Sequence, residues 1–174
     1  MSFLDDIPPL HQPRKPKVKR IITPCKYDLR KLYYDARRIM FEREYPSAWA
    51  AGGYYDNKFP DINTTNGTQN YIQDVLNNFG YQAERVNTGG IPMRDKSGQF
   101  KMRYSGSTKG SSDLHCIIKG MAWKIEIKKG ADTLSDTQKK YRDKVVAAGG
   151  HHSVVYVGNL DYFWDEYKRI ADCG

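Results

Sequence analysis

Two acidic residues and one lysine have the types and the spacing needed for chemistry on a phosphate ester. Glu126 and Lys128 are two residues apart in a segment that alternates apolar and charged side chains, so on a β-strand both point to the same side. Asp113 begins the preceding apolar segment, on the other side of Lys119-Gly120. If these two residues form a hairpin turn, Asp113 pairs near residues 126 to 127, and the two carboxylates meet at one end of a sheet.

This set of side chains suits metal-assisted hydrolysis of a phosphodiester. Carboxylate oxygens are hard ligands for Mg²⁺ or Mn²⁺, and such ions keep open positions for water and a phosphate oxygen. A neighbouring lysine can orient or help to deprotonate the attacking water and can offset charge on the phosphate. The alternative is that Glu126 and Lys128 form an ordinary surface ion pair, which contributes little. The Gly-Ser-Ser-Asp segment at 110–113, the apolar residues of the strand and Gln138 on the next helix favour the first interpretation.

Residues 65 to 158 resemble the VRR-NUC branch of the PD-(D/E)XK nuclease superfamily. The resemblance rests on the order, spacing and flanking glycines of four segments, GSTKGSSDL, WKIEIKKG, LSDTQKKY and AGGHHSVVYV. It implies the restriction-endonuclease-like fold, an α/β arrangement in which a mixed sheet is flanked by helices. Gln69, Gly80 and the Asn-Thr-Gly-Gly turn at 87–90 also fit the first helix of that family and the strand after it.

The resemblance also assigns roles to individual residues. It implies that Asp113, Glu126 and the backbone carbonyl of Ile127 bind Mg²⁺ or Mn²⁺. Lys128 is then the catalytic lysine, and Gln138 steadies the site from the following helix. Gln138 has a second interpretation, because Ser-Asp-Thr-Gln at 135–138 is a capping box in which the glutamine bonds back to the serine.

The sequence departs from the family at the start of the first helix. The family usually has a glutamate four residues before the glutamine, whereas this chain has Thr65 there, followed by Asn66. Either residue could supply a neutral oxygen, and Glu84 is an alternative substitute. One negative charge fewer predicts weaker metal binding, or dependence on one ion rather than two.

A polar loop rich in glycine and serine precedes Asp113 and is predicted to bind phosphate groups of the substrate. An ordinary flexible turn is the alternative. Arg85 and Lys129 complete the predicted substrate-binding set, whose loop members are Ser107, Thr108, Lys109, Ser111 and Ser112. The adjacent His151 and His152 point to opposite sides of a strand and make a poor metal pair, and His115 is expected to be a half-buried neighbour of the site.

The hydrophobic periodicity predicts a mixed α/β order with three parts: a basic flexible tail over 1–23, a helix and loop extension over 24–64, and the nuclease-like domain over 65–174. The tail is either an arm that binds phosphates or a solvated leader. Helices are predicted over 26–44, from 65 or 66 to 80, and over 135–148 and 160–171. Strands are predicted over 82–86, around the turns at 96–98 and 119–120, and over 153–157, with a long loop over 46–64.

The composition agrees with a partner of negative charge. The chain has 28 Lys and Arg against 20 Asp and Glu, a formal charge of +8, which favours polyanions without naming one. Apolar residues never approach the roughly 20 in a row of a spanning helix, so no membrane is expected. No secretory signal is evident, which predicts a cytoplasmic protein, in the host cytoplasm if phage-encoded. The three cysteines are too far apart for a metal clip.

The predicted activity is hydrolysis of DNA, rather than RNA, by Mg²⁺ or Mn²⁺. The resemblance implies products with 3′-hydroxyl and 5′-phosphate ends. Stand-alone domains of this kind resemble phage nucleases, some of which act as homodimers on branched DNA, so junction resolution is one expectation. The alternative is a non-catalytic nucleic-acid-binding protein that retains the fold with a weakened metal site.

Overall fold

Alternating apolar residues in two neighbouring segments, Leu114–Ile118 and Met121–Lys128, form the centre of the fold. The computed structural model describes residues 25–53, 58–86, 90–104 and 108–172. The predicted tail over 1–23, residues 87–89 of the Asn-Thr-Gly-Gly turn, and Ser107 lie outside the described residues. None of the helices in the described ranges is long and apolar enough to cross a membrane.

Five helices and six strands make up the described chain. The helices are α1 (Leu29–Glu44), α2 (Pro46–Ala50), α3 (Thr65–Asn78), α4 (Asp136–Ala147) and α5 (Asp161–Asp172). The strands are β1 (Gln82–Arg85), β2 (Gly90–Arg94), β3 (Phe100–Tyr104), β4 (Leu114–Ile118), β5 (Met121–Lys128) and β6 (His151–Tyr156).

Four strands form one mixed sheet in the order β1-β4-β5-β6. The β1–β4 and β4–β5 pairs are antiparallel, and β5–β6 is parallel. Lys119 and Gly120 both have positive φ angles, +47° and +81°, as the tightest hairpin turns require. This turn sets the register in which Leu114 pairs with Ile125, so the predicted placement of Asp113 opposite Glu126 is confirmed.

One face of this sheet carries the hydrophobic core. Trp123, Ile125 and Ile127 point to it from β5 and are buried, as the alternation predicts. Trp123 stacks on Phe163 of α5 with ring centroids 5.5 Å apart. Helix α3 adds an apolar stripe to the same cluster: Tyr71, Ile72, Val75 and Leu76. Burial of these side chains is the main stabilising term of the fold.

The opposite face of the sheet is polar and is covered by α4. This helix has no buried residue, yet it lies against β6 and sends Gln138 to Glu126 and Tyr141 to His115. Because side chains alternate along a strand, Glu126 and His115 belong to this second face. One face of the sheet therefore stabilises the fold, and the other face presents polar groups.

Helix α1 packs into the same hydrophobic core as the sheet. Tyr33 is 1% exposed, stacks on Tyr71 and donates from its hydroxyl to Asp74 Oδ2 at 2.9 Å. Leu29 and Ala36 are also buried in this cluster. The helix predicted at 26–44 is thus joined to the predicted domain at 65–174 by shared packing.

The structure differs from the predicted elements in two places between α1 and the start of α3. Residues 46–50, predicted as part of a loop, form the short helix α2. Pro46 occupies its first turn, where a backbone N–H has no partner within the helix, so the missing N–H of proline costs nothing there. The cap of α3 is Thr64, whose Oγ1 accepts from Gly67 N at 3.0 Å, so the predicted cap at Thr65 or Asn66 is one or two residues late.

We predict that Tyr33→Ala lowers the free energy of unfolding of the whole protein by about 3–5 kcal/mol. The reason is the loss of a large buried ring between α1 and α3. The measurement is urea denaturation followed by both fluorescence and circular dichroism. The control is Ile39→Ala on the outer side of α1, where the side chain is 42% exposed; its loss should be below about 1 kcal/mol. A separate early transition for α1 would contradict the shared core.

Candidate active site

Asp113 lies immediately before Leu114, the first residue of β4. Its backbone carbonyl accepts from Val86 N at 2.8 Å, next to the end of β1. Its side-chain Oδ2 accepts from the backbone amide of Ile127 at 2.7 Å. The carboxylate therefore takes a hydrogen bond on the edge of β5 that a longer β4 would have used, and this bond holds Asp113 beside Glu126.

Glu126 is a buried acid in the polar face of the sheet. It is 4% exposed, and its Oε1 accepts from Lys128 Nζ at 3.0 Å and from Gln138 Nε2 at 2.5 Å. The alternative of an ordinary surface ion pair for Glu126 and Lys128 does not hold, since the two side chains are only 5% and 13% exposed. A buried pair of this kind depends on complete hydrogen bonding.

Gln138 combines the two interpretations that the sequence leaves open. Its Oε1 accepts from Ser135 N at 2.9 Å, and Ser135 Oγ accepts from Gln138 N, which completes the capping box. The same Oε1 accepts from Lys128 Nζ at 3.0 Å, while Nε2 donates to Glu126. The cap of α4 therefore fixes the amide that orients both charged side chains.

The two carboxylates have raised pKa values. Burial raises the pKa of Asp113, opposed by the Ile127 amide, Lys128 and Arg85. Burial also raises the pKa of Glu126, and the negative charge of Asp113 raises it further, against the effects of Lys128 and Gln138. Two ionised acids in a half-buried site repel each other, and a cation between them relieves that repulsion.

The donor set fits a hard divalent cation. Asp113 Oδ1 and Glu126 Oε2 make no hydrogen bond within the described residues. Val157 N donates to the Lys128 carbonyl at 2.9 Å, and successive carbonyls of a strand point to opposite edges, so the Ile127 carbonyl points towards the edge where Asp113 lies. Oxygen ligands of this type suit Mg²⁺ or Mn²⁺. Across the described ranges, no three His, Cys, Asp or Glu residues converge as a fuller metal site.

The residues that replace the expected helix glutamate lie at the start of α3. Thr65 is its first residue, and Asn66 Oδ1 accepts from Arg85 Nη1 at 2.7 Å. The Asn66 oxygen is thus already used, and the contact places the positive charge of Arg85 where it lowers the pKa of Asp113. Glu84 pairs with His115 across β1 and β4 and is exposed, away from the acid pair in the register.

The loop before Asp113 packs closely against the start of α4. Gly110 has φ +83°, and a Cβ there would lie 2.6 Å from the Thr137 carbonyl oxygen, closer than real Cβ atoms approach. Glycine is therefore required by both conformation and space. This contact joins the segment that carries Asp113 to the helix that carries Gln138.

The predicted phosphate-binding residues divide into two groups. Thr108, Lys109 and Lys129 are exposed. Ser111 and Ser112 are buried, and their hydroxyls contact His115 Nε2 at 3.0 Å and His152 Nε2 at 3.1 Å. These contacts show that the two serine hydroxyls hold the loop against its neighbours, and binding of phosphate by the loop stays a prediction.

His115 is half-buried beside the site, as the sequence predicts, whereas the contact of His152 with Ser112 has no signal in the sequence. His115 also contacts the Tyr141 hydroxyl at 3.1 Å and stacks on that ring. Burial lowers the pKa of His152 to about 4, so it is neutral when it meets Ser112. The two histidines point to opposite sides of β6, as predicted: His151 contacts Glu166 of α5, whereas His152 contacts Ser112.

We predict that Asp113→Asn raises the thermal midpoint of the metal-free protein at pH 7.5 by about 2–4 °C, or about 1 kcal/mol. A raised acid pKa means that the folded state binds the proton more tightly than the unfolded state, so stability falls as pH rises through that range. The advantage should shrink as the pH approaches 3.8, the ordinary aspartate value. Calorimetry in EDTA measures it. Asp132→Asn, at an exposed loop position, should change nothing, and a lower midpoint for Asp113→Asn would contradict the account.

No protein-family model matches the chain, and no curated protein matches it. What the site can do is therefore inferred from its own residues.

Proposed function

We propose that this protein is a metal-dependent nuclease of the PD-(D/E)XK type that hydrolyses phosphodiester bonds of DNA. One observation carries the proposal: Asp113 and Glu126 lie on one face at the end of paired strands, with Lys128 and Gln138 bonded to the same Glu126 oxygen. A structural ion pair does not need a second, partly buried acid beside it, whereas adjacent carboxylates are the ligands by which a metal-assisted phosphodiesterase site holds its cation.

The cation would be held by Asp113, Glu126 and the Ile127 carbonyl. When bound, Mg²⁺ or Mn²⁺ lowers the pKa of a coordinated water and polarises the phosphate. Asp113 Oδ1 and Glu126 Oε2, which accept no hydrogen bond from the described part of the chain, are the oxygens available for this role. With Thr65 in place of a glutamate, two side-chain acids fit a single ion better than two.

Lys128 is the proposed catalytic residue of the chain itself. Its ammonium is fixed by Glu126 and by Gln138, both at 3.0 Å, so it can hold the attacking water and offset negative charge on the phosphate oxygens. The water oxygen forms the new bond to phosphorus, and the bond to the 3′ oxygen breaks. The products are a 3′-hydroxyl and a 5′-phosphate.

The proposed substrate is DNA, which the exposed basic residues near the site would hold by its phosphates. Thr108, Lys109 and Lys129 are exposed, and Arg85 is held by Asn66 beside Asp113. The net charge of +8 adds a general attraction to polyanions. Action on branched DNA by a homodimer in the cytoplasm is the specific setting that we propose.

A second candidate is a non-catalytic DNA-binding protein with the same fold. The observation in its favour is that only two acids meet among the described residues, and Asn66 is occupied by Arg85. Such a protein would bind DNA in a salt-sensitive manner and leave it intact in either metal.

We predict that the protein nicks or linearises plasmid DNA with Mn²⁺ or Mg²⁺ and that EDTA abolishes the reaction. Asp113→Ala and Glu126→Ala should reduce cleavage to background because they remove the cation ligands. Lys128→Ala should reduce it about 100-fold or more. Gel quantification of initial rates, with circular dichroism to verify folding, measures these effects.

The matched control is Glu84→Gln, an exposed acid on the same face of the sheet. Its cleavage rate should equal that of the unmodified protein. If Asp113→Ala and Glu126→Ala cleave normally, the site is misassigned. Binding without cleavage by the unmodified protein would favour the second candidate.

We predict that Thr65→Glu lowers the Mn²⁺ concentration for half-maximal cleavage about 10-fold, since a third acid adds a ligand and a charge. Thr65→Gln is the neutral control of the same length and should leave that concentration unchanged. Thr65 begins α3, where an acid also suits the helix dipole, so the substitution should not destabilise the fold. An unchanged metal requirement in Thr65→Glu would mean that this position does not face the site.

A further inference from the structure

The β2–β3 hairpin is a basic ribbon that the acid site does not explain. Among the described residues it has no strand pairing with the four-stranded sheet. Its 15 residues, 90–104, carry four basic groups and one acidic group, so its net charge is 4 − 1 = +3. These charges are Arg94, Lys96, Lys101 and Arg103 against Asp95. A short ribbon therefore holds a large share of the positive excess of the chain.

Both faces of the ribbon combine a cation with an exposed apolar side chain. Phe100, 69% exposed, pairs with Arg94, whose guanidinium lies 4.9 Å from its ring centroid. On the other face, Met93, 44% exposed, pairs with Lys101. At this exposure the two apolar side chains contribute little to folding, so each is available to a partner on its own face of the ribbon.

The turn of the ribbon is held rigid by its single acid. Asp95 Oδ1 accepts from Ser97 N at 2.9 Å and from Gln99 N at 3.1 Å, and Lys101 Nζ lies 2.9 Å from Oδ2. The negative charge is thus used inside the turn. The shape is set before a partner arrives, which reduces the entropy cost of binding.

Covalent geometry keeps the base of the ribbon close to the acid site. Val86, which donates to the Asp113 carbonyl, is four Cα steps from Gly90, so the two lie within about 15 Å. Each strand of the ribbon has five residues, a length of about 17 Å. That length matches about five base pairs of DNA.

We propose that the β2–β3 ribbon binds in the major groove of duplex DNA, within about one helical turn of the cleaved phosphate. This inference rests on the proposed function, since the partner is the same DNA. The major groove is about 12 Å wide and admits a two-stranded ribbon. Arg94 and Lys96 contact the DNA backbone, and Phe100 contacts base edges from the face that it shares with Arg94.

A second copy of this chain fits the ribbon less well than DNA does. Pairing of two ribbons edge to edge would require free backbone donors, and Pro92 lacks one. Lysine and arginine at strand edges also oppose such pairing. Two ribbons of charge +3 would repel each other, whereas a phosphate backbone attracts each of them.

The test is fluorescence anisotropy with a labelled 30-base-pair duplex in Ca²⁺ or EDTA, so that binding is measured without cleavage. Arg94→Ala with Lys96→Ala should weaken binding and reduce the slope of log Kd against log salt by about 2. Phe100→Ala should weaken duplex binding about 10-fold while leaving the slope unchanged. The matched control is Arg38→Ala with Ile39→Ala, an exposed basic and apolar pair on α1, which should bind as the unmodified protein does.

Hydrolysis of bis(p-nitrophenyl) phosphate separates the ribbon from the acid site, because this substrate is too small to reach both. Ribbon variants should hydrolyse it normally and retain the thermal midpoint, while losing duplex cleavage. If they bind and cleave the duplex as the unmodified protein does, the ribbon proposal fails and the nuclease proposal stands. If the unmodified protein binds the duplex through the ribbon but cleaves nothing, the nuclease proposal fails and the ribbon proposal stands. Equal loss of single-strand and duplex binding would overturn the groove assignment.

Discussion

The hydrogen bond from the Ile127 amide to Asp113 Oδ2 connects the residue before β4 to strand β5, and the arrangement of the two acids depends on it. It brings a carboxylate to the strand edge that would otherwise be left open, beside the buried Glu126. That placement makes the two acids neighbours, so that the charge of Asp113 raises the pKa of Glu126. Lys128 and Gln138 both contact Glu126 and stabilise its negative charge. A divalent cation would further reduce the repulsion between the two acids.

The two-faced sheet explains how such a site is tolerated. The apolar face buries large side chains such as Trp123 against α5, and this burial stabilises the domain independently of the polar face. Helix α4 buries no residue of its own, and its contacts with the sheet are polar, such as that of Gln138 with Glu126. Its cap residue Ser135 and its neighbour Gly110 bring the helix start and the Asp113 loop together. Stability and proposed chemistry are thus assigned to opposite sides of the same strands.

Local patterns in the sequence were enough to predict the centre of the fold but not its long-range polar contacts. The turn at 119–120 and the alternation after it fix the position of Asp113, because strand register follows from turn geometry. Helix α2 lies within the loop predicted over 46–64, because the composition of that segment favours a loop, whereas Pro46 suits a first helical turn. The contact of Ser112 with His152 joins residues 40 apart. No local pattern in the sequence specifies such a pair.

The most direct test of the central claim is a calorimetric Mn²⁺ titration at pH 5.5 and 7.5 in buffers of different ionisation enthalpy. The acid pair predicts one Mn²⁺ per chain, with a release of protons that is larger at the lower pH, because burial raises the pKa of both carboxyls and protons then compete more strongly with the cation. Asp113→Asn combined with Glu126→Gln should abolish both the binding and the proton release. Unchanged Mn²⁺ binding in that double variant would contradict the account.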